Sequence, residues 1–146
     1  MGSEMCIRDR IKRFLSAYSN RVLHHDKVNE DAVKSVGVFR KLRPRPELDE
    51  FVDRFEKYFE ISEIRHHCRP MTHWLGDEPG YFHQVYSINQ IQDFVDDVST
   101  VIGKTAEIGR HQTGGPKLKP DLLTAKQTEK LRKFYDVDYK AFGQHF

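Results

Sequence analysis

The stretch of sequence on which the fold depends is Arg8-Asp9-Arg10-Ile11-Lys12-Arg13-Phe14-Leu15-Ser16-Ala17-Tyr18. Its apolar residues are spaced three or four apart, which predicts an amphipathic helix from about Ile11 to His24. Lys12 and Ser16 are one turn apart and therefore project from the same side of that helix. The N–H groups and dipole at a helix start favour an anion, and Arg and Ser supply further donors to phosphate oxygens. The stretch is either a phosphate site or a surface helix with a solvated basic face.

Composition excludes several classes of protein. A chain of 146 residues is one domain or a piece of one. Its 24 basic and 22 acidic residues give a net charge of only +2, so nucleic acid is not an expected partner. Two cysteines, Cys6 and Cys68, do not form a disulfide framework. No apolar run is long enough to be a membrane segment, and no secretory signal is visible, although a truncated gene would lose either one.

Local patterns predict both helices and a strand. Residues Tyr81 to Ile88 alternate as a strand does, and Asn89 then caps a helix that Gly103 ends. A strand followed directly by an amphipathic helix is an α/β unit. The buried stripe expected on that helix is Ile91, Phe94, Val95, Val98 and Ile102.

Other helices are marked by their caps. Asn29 begins a short helix that Gly37 ends, and Pro46 opens a longer one. Thr124 and Gln127 form a capping box for a late helix. The helix after Pro46 carries an apolar stripe that is predicted to pack in the core, and it consists of Leu48, Phe51, Val52, Phe55 and Phe59.

Two basic segments have alternative interpretations. The run from Arg40 to Pro46 should be extended because of its two prolines. It is a solvated linker, a rim that attracts an anionic substrate, or a nucleic-acid contact with steep salt dependence. The segment from Arg65 to Trp74 holds three histidines and a cysteine, but their spacing does not match paired zinc ligands, so no metal is expected.

The first stretch resembles the Arg-Asp-Pro-x-x-Arg-x-x-Ser-Ala-(Tyr/Phe) segment of sulfotransferases, in particular the carbohydrate-type branch. The resemblance implies that Arg8 and Ser16 hold the 3′-phosphate of the sulfate donor, 3′-phosphoadenosine 5′-phosphosulfate. Arg10 stands where the family has proline. No catalytic residue is assigned, because the family's phosphosulfate loop and base lie upstream of this segment.

Two further segments resemble the family in the correct order. His67-Cys68-Arg69-Pro70-Met71 is similar to its His-Trp-x-Pro-(Gln/Met) element, which implies that His67 and Arg69 contact the substrate. The alternative is a His-rich loop at the edge of the core. The end of the chain, from Leu131 to Gly143, is similar to the family's closing motif, whose residues should pack the last helix onto the sheet.

A glycine-rich basic loop runs from Arg110 to Pro120 and does not match a Walker loop. Its glycines permit close approach of the backbone, and its cations favour an anion. By position and composition it is similar to the family's late loop over the adenosine and 3′-phosphate, with Arg110, Thr113 and Lys117 as candidate donor-binding residues. A plain linker is the alternative.

The resemblance implies an α/β fold: the helix-rich C-terminal part of a P-loop-like sulfotransferase domain, lacking the N-terminal strand and the 5′-phosphosulfate loop. Residues 1–10 read like translated sequencing adapter in a metagenomic reading frame, and residues 11–146 are then the partial domain. The whole enzyme would transfer a sulfuryl group from the nucleotide donor to a carbohydrate hydroxyl, without a metal. The fragment would be inactive and would fold poorly alone, because missing strands would leave apolar helix faces uncovered.

A different class of function is also open. The chain would then be a non-enzymatic helical interaction module whose Phe51, Phe55 and Phe59 meet a partner. The family resemblance implies the cytoplasm for a bacterial source and allows the Golgi lumen for a eukaryotic one.

Overall fold

The computed structural model describes residues 4–109 and 114–146, which form a mixed α/β fold rich in helix. The chain divides into two compact units. The sheet unit comprises Met1–Asp9, Pro70–His111 and Tyr135–Phe146, and the helical unit comprises Arg10–Arg69 and Gln112–Phe134. In chain order the strands and α-helices are β1 (Glu4–Ile7), α1 (Arg10–Ala17), α2 (Glu30–Ser35), α3 (Leu48–Asp53), α4 (Phe55–Tyr58), α5 (Ser62–Cys68), α6 (Thr72–Leu75), β2 (Gln84–Ser87), α7 (Ile91–Ile102), α8 (Ala125–Phe134) and α9 (Asp136–Phe142).

The first helix of the helical unit has the predicted length, but its second half is not the predicted α-helix. Helix α1 is α-helical to Ala17 and continues as a π-helix over Tyr18–His24. The predicted apolar stripe is buried, and α1 packs against α5 and α8. The buried residues are Ile11, Phe14, Leu15, Tyr18 and Val22.

An aromatic cluster forms the core of the helical unit. The ring centroid of Phe14 lies 5.0 Å from that of Phe55 and 5.6 Å from that of Phe51. Phe55 also contacts Phe134 of α8 at 4.9 Å, edge to face. Phe51 and Phe55 are at most 1% exposed. The hypothesis that these phenylalanines meet an external partner is therefore wrong for Phe51 and Phe55.

The helix predicted after Pro46 is broken into α3 and α4. Glu47 is the N-cap of α3, and Arg54 leaves helical geometry between the two helices. The guanidinium of Arg54 donates to the carbonyl oxygens of Arg40 and Lys41, each at 2.7 Å. The break therefore coincides with an anchor between this helix pair and the preceding segment.

The predicted caps in the helical unit are confirmed. Asn29 accepts a hydrogen bond from the N–H of Ala32, and Gly37 follows α2 with φ of 99°. The N–H of Thr124 donates to Oε1 of Gln127, and the N–H of Gln127 donates to Oγ1 of Thr124.

The sheet unit contains two parallel strands, with Met5 opposite Val85 and Ile7 opposite Ser87. The predicted strand Tyr81–Ile88 is too long, because Pro79–Tyr81 and Ile88–Gln90 are both turns of 3₁₀-helix. Asn89 is not the cap as predicted. Ser87 and Gln90 form a capping box instead, and its cap residue is two positions earlier than predicted.

Helices cover both faces of this small sheet. Met5, Ile7 and Val85 cluster with Phe142 of α9, which confirms that the last helix packs onto the sheet. On the opposite face the ring of Tyr86 lies 5.7 Å from that of Phe94 of α7.

A buried carboxylate joins α9 to α6. Asp138, which is fully buried, accepts hydrogen bonds from the N–H groups of Met71 and Thr72 at 2.8 and 2.9 Å. These N–H groups lie at the start of α6, where no backbone acceptor is available to them.

The apolar stripe of α7 is more exposed to solvent than predicted. Within the described chain, none of the α7 residues is fully buried, and Ile102 is 48% exposed. Across residues 4–109 and 114–146, no helix combines the length and the apolar character needed to cross a bilayer.

The aromatic core should dominate the stability of the helical unit. Phe55→Ala should lower the free energy of unfolding by about 3–5 kcal/mol, because it removes a buried ring with four aromatic neighbours and leaves a cavity. Phe39→Ala is the matched control: that ring is 98% exposed, so the change should stay within about 0.5 kcal/mol. Urea unfolding followed by fluorescence measures both, and equal losses would contradict this core.

Candidate functional site

The candidate site is the polar side of α1 and the π-helix, within the helical unit. Ser16 is exposed, and Arg13 and Arg21 are half-buried. Residues three or four apart on a helix are neighbours on its surface, so Arg13 and Ser16 lie on one side. This arrangement places a hydroxyl donor beside a guanidinium on one rigid element.

The π-helix carries two buried polar residues, Ser19 and Asn20. Oγ of Ser19 donates to the carbonyl of Pro116 at 2.5 Å, and Nδ2 of Asn20 donates to the carbonyl of Gly114 at 3.5 Å. π-helical turns are rare and occur frequently at functional sites. The glycine-rich loop is therefore bonded directly to the helix that carries Ser16.

Only glycine allows the loop to come this close. Gly115 has φ of +81°, and a Cβ there would lie 2.5 Å from both the carbonyl oxygen and Oγ of Ser19. At Gly114, a Cβ would overlap the ring of His24. Close approach of this loop to the helix therefore depends on both glycines.

The end of α5 is hydrogen-bonded to α1. Nη1 of Arg13 donates to the carbonyl of Arg69 at 3.0 Å, which joins the two helices. Burial, as the largest cause, and the positive charges of Arg21, His66 and Arg13 together lower the pKa of His67 to about 4, against the opposing effect of Glu63. His67 is thus a neutral imidazole near pH 7, in a field made positive by its neighbours.

Charge is divided unevenly between the two units. The helical unit has 20 Lys or Arg against 12 Asp or Glu, a net charge of +8. The sheet unit has 4 against 10, a net charge of −6. The small overall charge conceals this division. A field of this sign attracts anions to the helical unit.

The residues predicted from sequence to bind the donor or the substrate do not all lie in one unit. Ser16, His67, Arg69 and Lys117 all belong to the helical unit, whereas Arg8 is an exposed residue of the sheet unit. Arg110 and Thr113 lie outside the described residues.

Sequence reasoning did not single out Arg13, Asn20 and Arg21. Arg13 and Asn20 do follow the helical spacing that includes Ser16, whereas Arg21 is five residues from Ser16 and does not. The motif directed attention to Arg8 instead.

The histidine-rich segment is not the loop that one interpretation predicted. His66 and His67 lie in α5, which ends at Cys68, two residues before Pro70, as expected for a helix that meets a proline. Among the described residues, no three His, Cys, Asp or Glu side chains are grouped so that they could hold a metal ion. Burial raises the pKa of the Cys68 thiol to about 12.

The basic run after Arg40 is engaged by the protein's own carboxylates. Arg45 pairs with Asp26 and Glu30, both at 2.7 Å, and Arg40 pairs with Glu60 at 2.9 Å. These pairs offset the charge that would attract an anionic substrate. The run is a weaker anion site than its sequence predicts.

The glycine contact can be tested by a pair of substitutions. Gly115→Ala should lower the free energy of unfolding by about 1 kcal/mol or more beyond Gly103→Ala. Both glycines have positive φ, but a Cβ at Gly103 meets nothing within 4 Å. The difference in thermal stability between the two variants measures the effect of the clash with Ser19. Equal destabilisation would show that the loop does not depend on its close approach to Ser19.

The lowered pKa of His67 predicts a pH dependence. The unfolded chain takes up a proton below about pH 6.5, whereas folded His67 does so only near pH 4. Its contribution to stability is complete above about pH 6.5 and is lost as the pH falls toward 4. His67→Gln should therefore flatten the decline in unfolding free energy between about pH 7 and pH 5. An unchanged slope in urea titrations of the variant would rule out this environment for His67.

A scan against models of known protein families finds no match to this chain, and searches of curated proteins and of solved structures find none either. Any assignment of function therefore depends on the motifs of the sequence and on the geometry of the candidate site.

Proposed function

We propose that the chain is part of a sulfotransferase and that its helical unit binds the 3′-phosphate of 3′-phosphoadenosine 5′-phosphosulfate. The observation that carries this proposal is the bonding of the glycine-rich loop to the helix that presents Ser16. A nucleotide phosphate needs donors and positive charge from groups that are held in place. The π-helix contacts fix the loop, and Arg13 and Arg21 supply charge on the helix itself.

Arginines of the helical unit perform the clamping role in this proposal. Arg13 is anchored to α5 through the carbonyl of Arg69, so its position is set by the fold. Arg21 lies two turns further along the same helix, and Lys117 lies on the loop. A phosphate dianion beside Ser16 would gain charge-assisted hydrogen bonds from this set. The motif assigned that role to Arg8, which remains a separate prediction.

His67 contributes to the acceptor side of the proposed reaction as a neutral group. A general base works best when its pKa lies near the working pH. A pKa of about 4 makes His67 a weak base but leaves an imidazole nitrogen that can accept a hydrogen bond from a hydroxyl. This supports a role in holding a sugar hydroxyl and is consistent with a base elsewhere in the whole enzyme.

The proposed chemistry has three requirements. Sulfuryl transfer needs a cradle for the 5′-phosphosulfate, a base for the acceptor hydroxyl and a clamp for the 3′-phosphate. In this proposal the helical unit provides the clamp and contacts for the acceptor, so binding is the property to measure on this chain.

The chain should bind a nucleotide that carries a 3′-phosphate more tightly than one that lacks it. 3′-Phosphoadenosine 5′-phosphate should bind at least about tenfold more tightly than adenosine 5′-phosphate, because one charge-assisted contact contributes about 1.5–3 kcal/mol. Ser16→Ala and Arg21→Gln should each remove most of this difference, as measured by calorimetry.

Matched controls lie on α2. Ser35→Ala and Lys34→Gln change an exposed hydroxyl and an exposed cation of the same unit, away from α1, and should leave both affinities unchanged. Equal affinity for the two nucleotides in the wild-type chain, or loss of binding in the control variants, would refute the proposal.

A further inference from the structure

An apolar groove lies in the sheet unit, along α7 and the segment that follows it. The groove has a volume of about 720 Å³, and its lining is Ile88, Ile91, Gln92, Val95, Ala106, Glu107 and Ile108. The segment is held against the helix, because the N–H of Ala106 donates to Oγ of Ser99 at 2.9 Å. This bond fixes the second wall of the groove.

The lining is exposed to an extent unusual for large aliphatic side chains. Ile88 is 45% exposed and Ile108 is 52% exposed, while Ile91 and Val95 are half-buried. Ile91 and Val95 are four residues apart on α7 and form one ridge beside the groove. Contiguous exposed apolar surface with a polar border is characteristic of interaction sites.

The border of the groove is acidic. Asp96 lies beside Gln92, whose Nε2 donates to its Oδ1 at 2.9 Å, and Glu107 lies in the lining itself. The charged residues of α7 are all acidic, and they are Asp93, Asp96 and Asp97. In the following segment from Gly103 to Gly109, Glu107 is accompanied by one exposed cation, Lys104.

We propose that this groove binds a basic amphipathic helix of a partner protein. Apolar side chains one turn apart on the partner would fill the space between Val95 and Ile108, as in helix-in-groove recognition. Lysine or arginine beside those anchors would meet Asp96 and Glu107. The acidic border selects a cationic partner, and an acidic helix with the same apolar face is repelled.

The test uses two synthetic peptides and the full chain. Both peptides are amphipathic helices with the same leucine face; one carries lysine on its polar face and the other carries glutamate at the same positions. Fluorescence anisotropy should show that the lysine peptide binds and that the glutamate peptide binds at least about tenfold more weakly. Added salt should weaken binding of the lysine peptide.

Two variants locate the binding surface, and two others act as controls. Ile108→Asp and Glu107→Lys should each weaken binding of the lysine peptide by about fivefold or more, and both replace exposed residues, so folding is preserved. Leu122→Asp changes an equally exposed aliphatic residue of the helical unit, and Asp77→Lys changes an exposed carboxylate outside the groove. Neither control should alter binding.

Three results would overturn the proposal: equal affinity for both peptides, no binding of the lysine peptide, or a homodimer that Ile108→Asp dissociates. The last result would assign the groove to a second copy of the chain. The outcome is independent of nucleotide binding, because the groove belongs to the sheet unit and the clamp residues belong to the helical unit.

Discussion

The packing of Phe14 against Phe51 and Phe55 is the contact on which the candidate site depends. It fixes the rotation of α1 about its own axis. Once the apolar side of that helix is in the core, Arg13 and Ser16 must lie on the remaining surface, since the two sides are part of one rigid element. The cation and the hydroxyl are therefore positioned by the hydrophobic packing of the other side of their own helix.

The same helix shows which features can be predicted from sequence. Its apolar spacing, like the caps at Asn29 and Thr124 elsewhere in the helical unit, is a local or periodic signal, and these signals predicted the structure correctly. The docking of the last helix onto the sheet was instead predicted from the family resemblance, and it is also confirmed. The π-helix is different. Its buried Ser19 and Asn20 bond to Pro116 and Gly114, which are 97 and 94 residues away in the chain. No local pattern encodes a turn that depends on partners so distant.

Other errors have equally specific causes. The break at Arg54 coincides with hydrogen bonds from its guanidinium to the carbonyls of Arg40 and Lys41, and a helical stripe cannot reveal such contacts. The strand was predicted too long because aromatic residues near Tyr81 alternate as in a strand, although Pro79 begins a 3₁₀ turn there. The division of charge between the units was invisible because it requires knowing which distant segments share a unit.

The pairing of β1 with β2 does not depend on where the sequence of β1 comes from. Residues 1–10 were interpreted as foreign to the gene, and that hypothesis is still a prediction. Parallel strands pair through N–H and carbonyl groups, which every residue except proline possesses. Side chains must satisfy only the alternation of faces, and Met5 and Ile7 do so by placing apolar groups beside Val85 and Phe142. Any short apolar segment with this alternation could occupy the position beside β2. The pairing of backbone groups and the alternation of faces therefore suffice to explain how β1 is stabilised.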